Sequence, residues 1–358
     1  MFEIWLLHMR ANNNIFKLLR EKGAEAARAA DRGLILQPGA IGDCILTLPL
    51  AQFMKDGLGL GGVDILGHTE YIGILPGRTC VDGIRSIDSV DSHRLFVETE
   101  AFDLADGDPL ISVFADYTWI VSFLGEPGSA FEQNLIFTAN CSRSAAVIIL
   151  SMKLPEEFSA HIADFYTRQF IDQSGLSLGP WQMRSNDVLI KTTEADVERG
   201  KELLKEADFD FSESLVIIQP GSGGPHKCWY LDNFLTLARE LDSKGVRVIF
   251  LLGPAELERF GDAAIREMGE IARCLSDLSL TEVLGLLSCA DGFVGNDSGI
   301  THLAAGLGVR TLAVFGPTDP VVYRPIGPAV TVFASSEADF ASQPSERLQQ
   351  ELLDVLMA

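Results

Sequence analysis

From Gly33 onward, short apolar runs alternate with amphipathic stretches, the pattern of a parallel sheet flanked by helices. In the first half, Gly33–Gln37, Val63–Leu66, Ile84–Ile87, Tyr117–Leu124 and Ala145–Leu150 read as strands. The last is an unbroken apolar run, as a strand buried on both faces requires. Pro38–Gly42 reads as a tight loop, Asp43–Lys55 as a helix and His161–Gln173 as another. Gly175–Pro180 and the polar residues through Asp187 carry no periodicity and mark a linker. The alternation then restarts. Leu215–Gln219, Val246–Leu252, Gly292–Gly295 and Arg310–Phe315 read as strands, and Glu194–Ala207, Asp232–Ser243, Glu256–Met268 and Ile300–Leu307 as helices. Glu346–Met357 is amphipathic.

The expected organisation is an N-terminal extension (1–32), a first Rossmann-like domain (33–175), a linker (176–187), a second Rossmann-like domain (188–335) and a C-terminal helical segment (336–358). Two such halves leave a cleft, a preferred place for ligands. The extension holds six basic and four acidic residues, and Asn12–Asn14 can cap a helix carrying Ile15, Phe16, Leu18 and Leu19. It reads as a segment that packs on the body or frays, in preference to a membrane-surface helix.

Charge and cysteine usage narrow the function classes. The net charge is −22, with 13 basic and 23 acidic residues in 1–180 and 15 and 27 in 181–358. Neither half offers the basic footprint of a nucleic-acid binder. The six cysteines lie at least fifteen positions apart, so no CxxC pair exists for zinc or redox chemistry. Reduced thiols, the lack of a basic leader before Ile4–Leu7 and the lack of a run near ~18 apolar residues all lead to a cytoplasmic expectation.

Three segments carry candidate chemistry. The strand ending in Gln37-Pro38-Gly39 leads to Asp43 at a helix start, where an aspartate is either a cap or a general base at a ligand-facing strand end. The second half repeats the turn as Gln219-Pro220-Gly221 and continues through Ser222, Gly223, Gly224 and Lys227, the composition of an anion-binding loop without the GxxxxGK[ST] pattern. In Gly295–His302 a strand ends, Asn296-Asp297-Ser298-Gly299 turns the chain, and a helix begins whose free N–H groups suit phosphate. Asp297 is anionic, so it either caps that helix or holds Lys227. His302, one turn in, faces a ligand or is packed. Gly316-Pro317-Thr318 ends the next strand at the same edge.

Three blocks in order resemble glycosyltransferase family 9, the ADP-heptose:lipopolysaccharide heptosyltransferases: Gly39–Pro49 (GAIGDCILTLP), Lys227–Glu256 and Gly295–Pro320 (GNDSGITHLAAGLGVRTLAVFGPTDP). The resemblance implies an α/β GT-B fold, two Rossmann-like domains facing each other across a cleft. It also implies inverting, metal-independent transfer from a nucleotide sugar, usually ADP-heptose, as substrate and not cofactor. By the resemblance Asp43 is the base for the acceptor hydroxyl, Lys227 of K-x-W neutralises the leaving diphosphate, and Glu256 of G-x-x-E binds ribose hydroxyls. Ser222 and Gly223 of the loop, with Asp297, Ser298, Gly299 and His302, surround the diphosphate. The acceptor would be a hydroxyl of a lipopolysaccharide core or related glycan or glycolipid, met at the cytoplasmic face of the inner membrane. A non-catalytic nucleotide-sugar binder and a same-fold epimerase are the alternatives. Tyr230 stands where the family commonly has proline, and Gln37-Pro38-Gly39 where many relatives carry a basic residue. Nine acids lie between Asp82 and Asp116, with Glu70 just upstream, against Arg85 and Arg94. That balance suits the phosphorylated acceptors of some relatives poorly.

Overall fold

A computed structural model describes residues 31–176, 186–335 and 340–357. These fall into two compact units, the chain dividing at residues 183/184. The expected helix over residues 12–19 and most of the expected linker lie outside the described residues.

In the first unit five strands, β1 (Arg32–Leu36), β2 (Gly62–Gly67), β3 (Gly83–Ser86), β4 (Trp119–Ser122) and β5 (Ala146–Ile149), form a parallel sheet in the order β3-β2-β1-β4-β5. Leu34, Ile35 and Leu36 are fully buried, as an apolar run covered on both faces must be. Helix α1 spans Ile41–Leu58, beginning before the expected Asp43, so Gly42 is helical and not part of the loop. Ala40 is its N-cap, and Gly59, in the left-handed region at φ 65°, ends it. Helix α2 (Ala130–Asn140) escapes a periodicity reading because its inward face includes polar Asn134 and Thr138. Asn134 is satisfied there by donating to the carbonyls of Leu95 and Val97. Helix α3 spans Ile162–Ser174 and is closed by Gly175 at φ 59°.

The second unit is a six-stranded parallel sheet built from β6 (Ser214–Gln219), β7 (Val246–Leu252), β8 (Arg273–Ser276), β9 (Gly292–Asn296), β10 (Thr311–Phe315) and β11 (Val330–Ala334). Its order is β11-β10-β9-β6-β7-β8, the doubly wound order in which the strand sequence reverses between β6 and β9. Sequence periodicity misses the edge strands β8 and β11. They are only partly buried and carry no continuous apolar run.

Helix α4 (Glu194–Glu206) packs closely on the helix Leu280–Ser288, and a Cβ on Gly200 would lie 2.1 Å from the Gly285 carbonyl. The expected helix Glu256–Met268 is two: α6 (Pro254–Arg259) and α7 (Asp262–Ile271), parted where Gly261 caps the second in extended backbone. Helix α5 (Leu231–Ser243) places Phe234, Leu237 and Leu241 in the core, and α8 (Leu280–Ser288) and α9 (Gly299–Gly306) complete the cover. The C-terminal helix α10 (Glu346–Met357) puts Leu348, Leu352 and Leu353 into this same core, so it belongs to the second unit's packing. Among the described residues no helix is long and apolar enough to cross a membrane.

Candidate active site

In a doubly wound sheet, ligands bind outside the carboxyl ends of the strands where the order reverses. In the second unit that point joins the end of β6 to the end of β9, and Gln219 stands in register with Gly295. The loop after β6 is tied to the residues after β9 by side chains from both. Ser222 donates to the Asp297 carbonyl at 2.6 Å, and Ser298 donates to the Gln219 side-chain carbonyl at 2.9 Å. Asn296 donates from Nδ2 to the carbonyls of Pro220 (2.8 Å) and Gly221 (3.2 Å) and accepts the Trp229 amide at 2.8 Å. From α6, Arg259 donates to the Ser222 carbonyl at 2.9 Å and to the Cys228 sulfur.

Two loop glycines have different reasons. A Cβ on Gly221 would sit 1.9 Å from Glu256 Oε1, so a larger residue there must displace the Glu256 carboxylate. A Cβ on Gly223 would meet no protein atom within 4 Å, so the backbone there is open to approach.

The charges converge on Asp297. Lys227 Nζ lies 2.8 Å from its Oδ2, and His302 Nε2 lies 3.8 Å from its Oδ1. Burial alone would push the Asp297 carboxyl up, but His302 and Lys227 outweigh it and hold the group down at about 2. Asp297 is 7% exposed against 32% for Lys227, so the ammonium keeps a solvent side that a ligand can reach. Of the two sequence readings for Asp297, the geometry has it holding Lys227, while Ser298 caps α9 by accepting the Thr301 amide at 3.3 Å. Gly299 opens that helix. His302 is buried, and its Nδ1 has no hydrogen-bond partner.

Glu256 stands at the third position of α6, where Oε2 accepts the Gly253 amide at 2.8 Å. It is 1% exposed, and Oε1, against Gly221, has no hydrogen-bond partner. Burial pushes its carboxyl above the ordinary range, and the Gly253 amide opposes this. Ser222, Lys227, Asp297, Ser298 and His302 thus form one connected cluster around the loop and the start of α9, and Glu256 supports the loop from beneath.

The first unit's sheet reverses between β1 and β4, and Asp43 belongs to the turn after β1. It is half-buried at the third position of α1, with Oδ2 accepting the Ala40 amide at 3.1 Å. A Cβ on Gly39 would meet that carboxylate at 2.6 Å. Gln37 completes the turn, accepting the Gly39 amide at 2.9 Å and donating to Thr47 at 2.8 Å. The capping reading of Asp43 is realised. A cap of this kind also fixes the carboxylate's orientation, which a general base requires. Among the described residues, the grouping with metal-ligand spacing is His68, Glu70 and Asp88, whose ligating atoms lie within 4.8 Å of one another. It shares no residue with either candidate cluster.

Sequence reasoning named the Gly295–His302 turn but not the part played by Asn296, although a polar residue closing an apolar strand is a usable signal. Arg259 carried none, because the continuous helix expected over Glu256–Met268 hid the break beside it.

Two doubly wound units, the second with a cation, a glycine loop and a helix start at its reversal point, are the architecture shared with glycosyltransferases of the GT-B fold, as comparison with known proteins shows. Residues 183–352, almost the whole of the second unit, match glycosyltransferase family 9 (heptosyltransferase). Lipopolysaccharide heptosyltransferase 3 of Escherichia coli is 22% identical over 311 residues, covering 79% of this chain and 83% of that protein. Among solved structures, the family 9 glycosyltransferase of Veillonella parvula superposes with a TM-score of 0.67 at 16% identity, over 91% of this chain and 96% of that one. The Escherichia coli heptosyltransferase WaaC with ADP gives 0.62 at 18% identity, over 91% and 99%.

Proposed function

We propose that this enzyme transfers heptose from ADP-heptose, with inversion and without a divalent metal, to a hydroxyl of a lipopolysaccharide core or related envelope glycan. The observation that carries the reading is the Lys227–Asp297 pair at the β6/β9 reversal, set beside the Ser222–Gly224 loop and the start of α9. It offers a diphosphate one half-buried ammonium with a solvent side, and backbone donors in a fixed arrangement. The names of similar proteins support the sugar and the acceptor class: a lipopolysaccharide heptosyltransferase among the relatives, and a solved fold bound to ADP-2-deoxy-2-fluoro heptose.

In this mechanism Asp43 takes the proton of the acceptor hydroxyl as its oxygen attacks the anomeric carbon from the face opposite the diphosphate. The bond from that carbon to the diphosphate oxygen breaks, and its electron pair leaves with ADP. General-base help of this kind contributes about 100- to 10,000-fold. Lys227, the loop amides and the α9 N-terminus meet the charge that grows on the leaving group, where removing one donor costs roughly 3 kcal/mol. Glu256 binds the ribose hydroxyls, a role that requires its buried Oε1 to become accessible when the donor enters. The enzyme works in the cytoplasm and meets a glycolipid acceptor at the cytoplasmic face of the inner membrane.

A thermal-shift screen of ADP, UDP and GDP tests the donor class, because a ligand that binds only the folded protein raises its Tm. The reading expects ADP to raise Tm more than UDP or GDP, with EDTA present or absent. A preference for UDP or GDP would overturn the assignment of the donor.

A further inference from the structure

We infer that Asn296 is a positioning residue of the donor site: its side chain holds the Pro220–Trp229 loop in the one arrangement that presents Lys227 and the loop amides to a diphosphate. The inference rests on the donor reading above and adds to it a residue that never touches the donor.

Asn296 ends β9 and is fully buried. Its amide grips both ends of the loop at once: Nδ2 donates to the carbonyls of Pro220 and Gly221, and Oδ1 accepts the Trp229 amide. Between those anchors lie Gly221, Gly223 and Gly224, which leave the backbone free to adopt many conformations. Lys227 lies there too, and its partner Asp297 is the residue next to Asn296 in the chain. One rigid strand end therefore sets both the course of the loop and the carboxylate that orients its ammonium.

The grip has an electrostatic consequence. Carbonyl oxygens of a glycine loop repel a diphosphate, whereas its amides attract one. The oxygens of Pro220 and Gly221 are engaged by Asn296 against β9 and so are kept from the ligand. Fixing donors before the charge develops is what makes such a site effective. Few side chains can do this work. It takes two donors and one acceptor in a planar fork, which an amide supplies, whereas aspartate keeps the acceptor and sets a negative charge against two carbonyls. Arg259 holds Ser222 and Cys228 independently, so losing Asn296 frees the ends of the loop without releasing all of it.

The test measures ADP and adenosine binding by calorimetry in the wild type, Asn296→Ala and Asn296→Asp, each also in a Lys227→Ala background. Positioning predicts that ADP binding weakens by about 10- to 100-fold, the loss of charge-assisted bonds made through the loop, while adenosine binding is unchanged. It also predicts that the Asn296 substitutions cost clearly less once Lys227 is gone, since the part of their effect that runs through the ammonium is then already lost. Should Asn296→Ala fail to fold, Asn296→Ser, which keeps one donor, takes its place. Equal losses of ADP and adenosine, or equal losses with and without Lys227, would make Asn296 a structural residue only and overturn the inference. Full ADP affinity in the variants would overturn it too. A wild type that binds no ADP at all would instead remove the donor reading on which the inference stands.

Discussion

Lys227→Met removes a charge while keeping most of the side chain's length, and the structure gives the size of two separate effects. The first concerns Asp297. Its carboxyl is held at about 2 against an ordinary 3.8, although burial pushes the other way. That depression corresponds to about 2 kcal/mol. Because the folded value lies below the unfolded one, this stability is present above pH ~4 and is lost as the pH falls from there toward 2. Without Lys227, burial is opposed by His302 alone at 3.8 Å. The folded value rises, the contribution shrinks, and acid unfolding moves to higher pH. The second effect concerns the donor. A lost charge-assisted hydrogen bond costs roughly 1.5–3 kcal/mol, so ADP binding should weaken by about 10- to 150-fold at neutral pH. Turnover should fall further, because the diphosphate gains charge as the sugar departs. Calorimetric titration of ADP, with melting curves across the acid range, reads both. Unchanged ADP affinity in Lys227→Met would refute the reasoning, whatever happened to the acid limb.

Asp43→Asn keeps an oxygen for the Ala40 amide and removes the base, so turnover should drop by about 100- to 10,000-fold with ADP affinity intact; a variant with near wild-type turnover while chemistry limits the rate would leave Asp43 as a cap alone. EDTA should not affect transfer, and a loss of activity restored by magnesium would rule out the metal-independent mechanism. Gly221→Ala forces a Cβ to within 1.9 Å of Glu256 Oε1, an overpacking worth about 1–3 kcal/mol and a Tm lower by roughly 2–12 °C. An unaltered melting curve would show that Glu256 moves aside freely.

The fold was legible where burial is two-sided. Leu34–Leu36 and Ile217–Ile218 are fully buried, and such runs announce a parallel sheet without any knowledge of their neighbours. Edge strands such as Arg273–Ser276 gave no such signal, and the break before Gly261 was hidden because apolar spacing continues across it. The site was legible as motifs and not as connections. Lys227, Asp297, Ser298 and His302 sit in short blocks of recognisable chemistry. The bonds from Asn296 to Pro220, Gly221 and Trp229 span between 67 and 76 positions, a distance that only the strand order closes. The sequence left Asp297 as either a helix cap or the partner of Lys227. The Ser298 side chain caps α9, which leaves the Asp297 carboxylate to Lys227.

The most direct measurement follows ADP-heptose and a core oligosaccharide acceptor together, scoring free ADP and the mass of the acceptor in the same reaction. The account predicts that each ADP released is matched by one heptosyl unit gained by an acceptor hydroxyl. Donor that binds yet stays intact, or that is converted to an isomer with the acceptor unchanged, would contradict it.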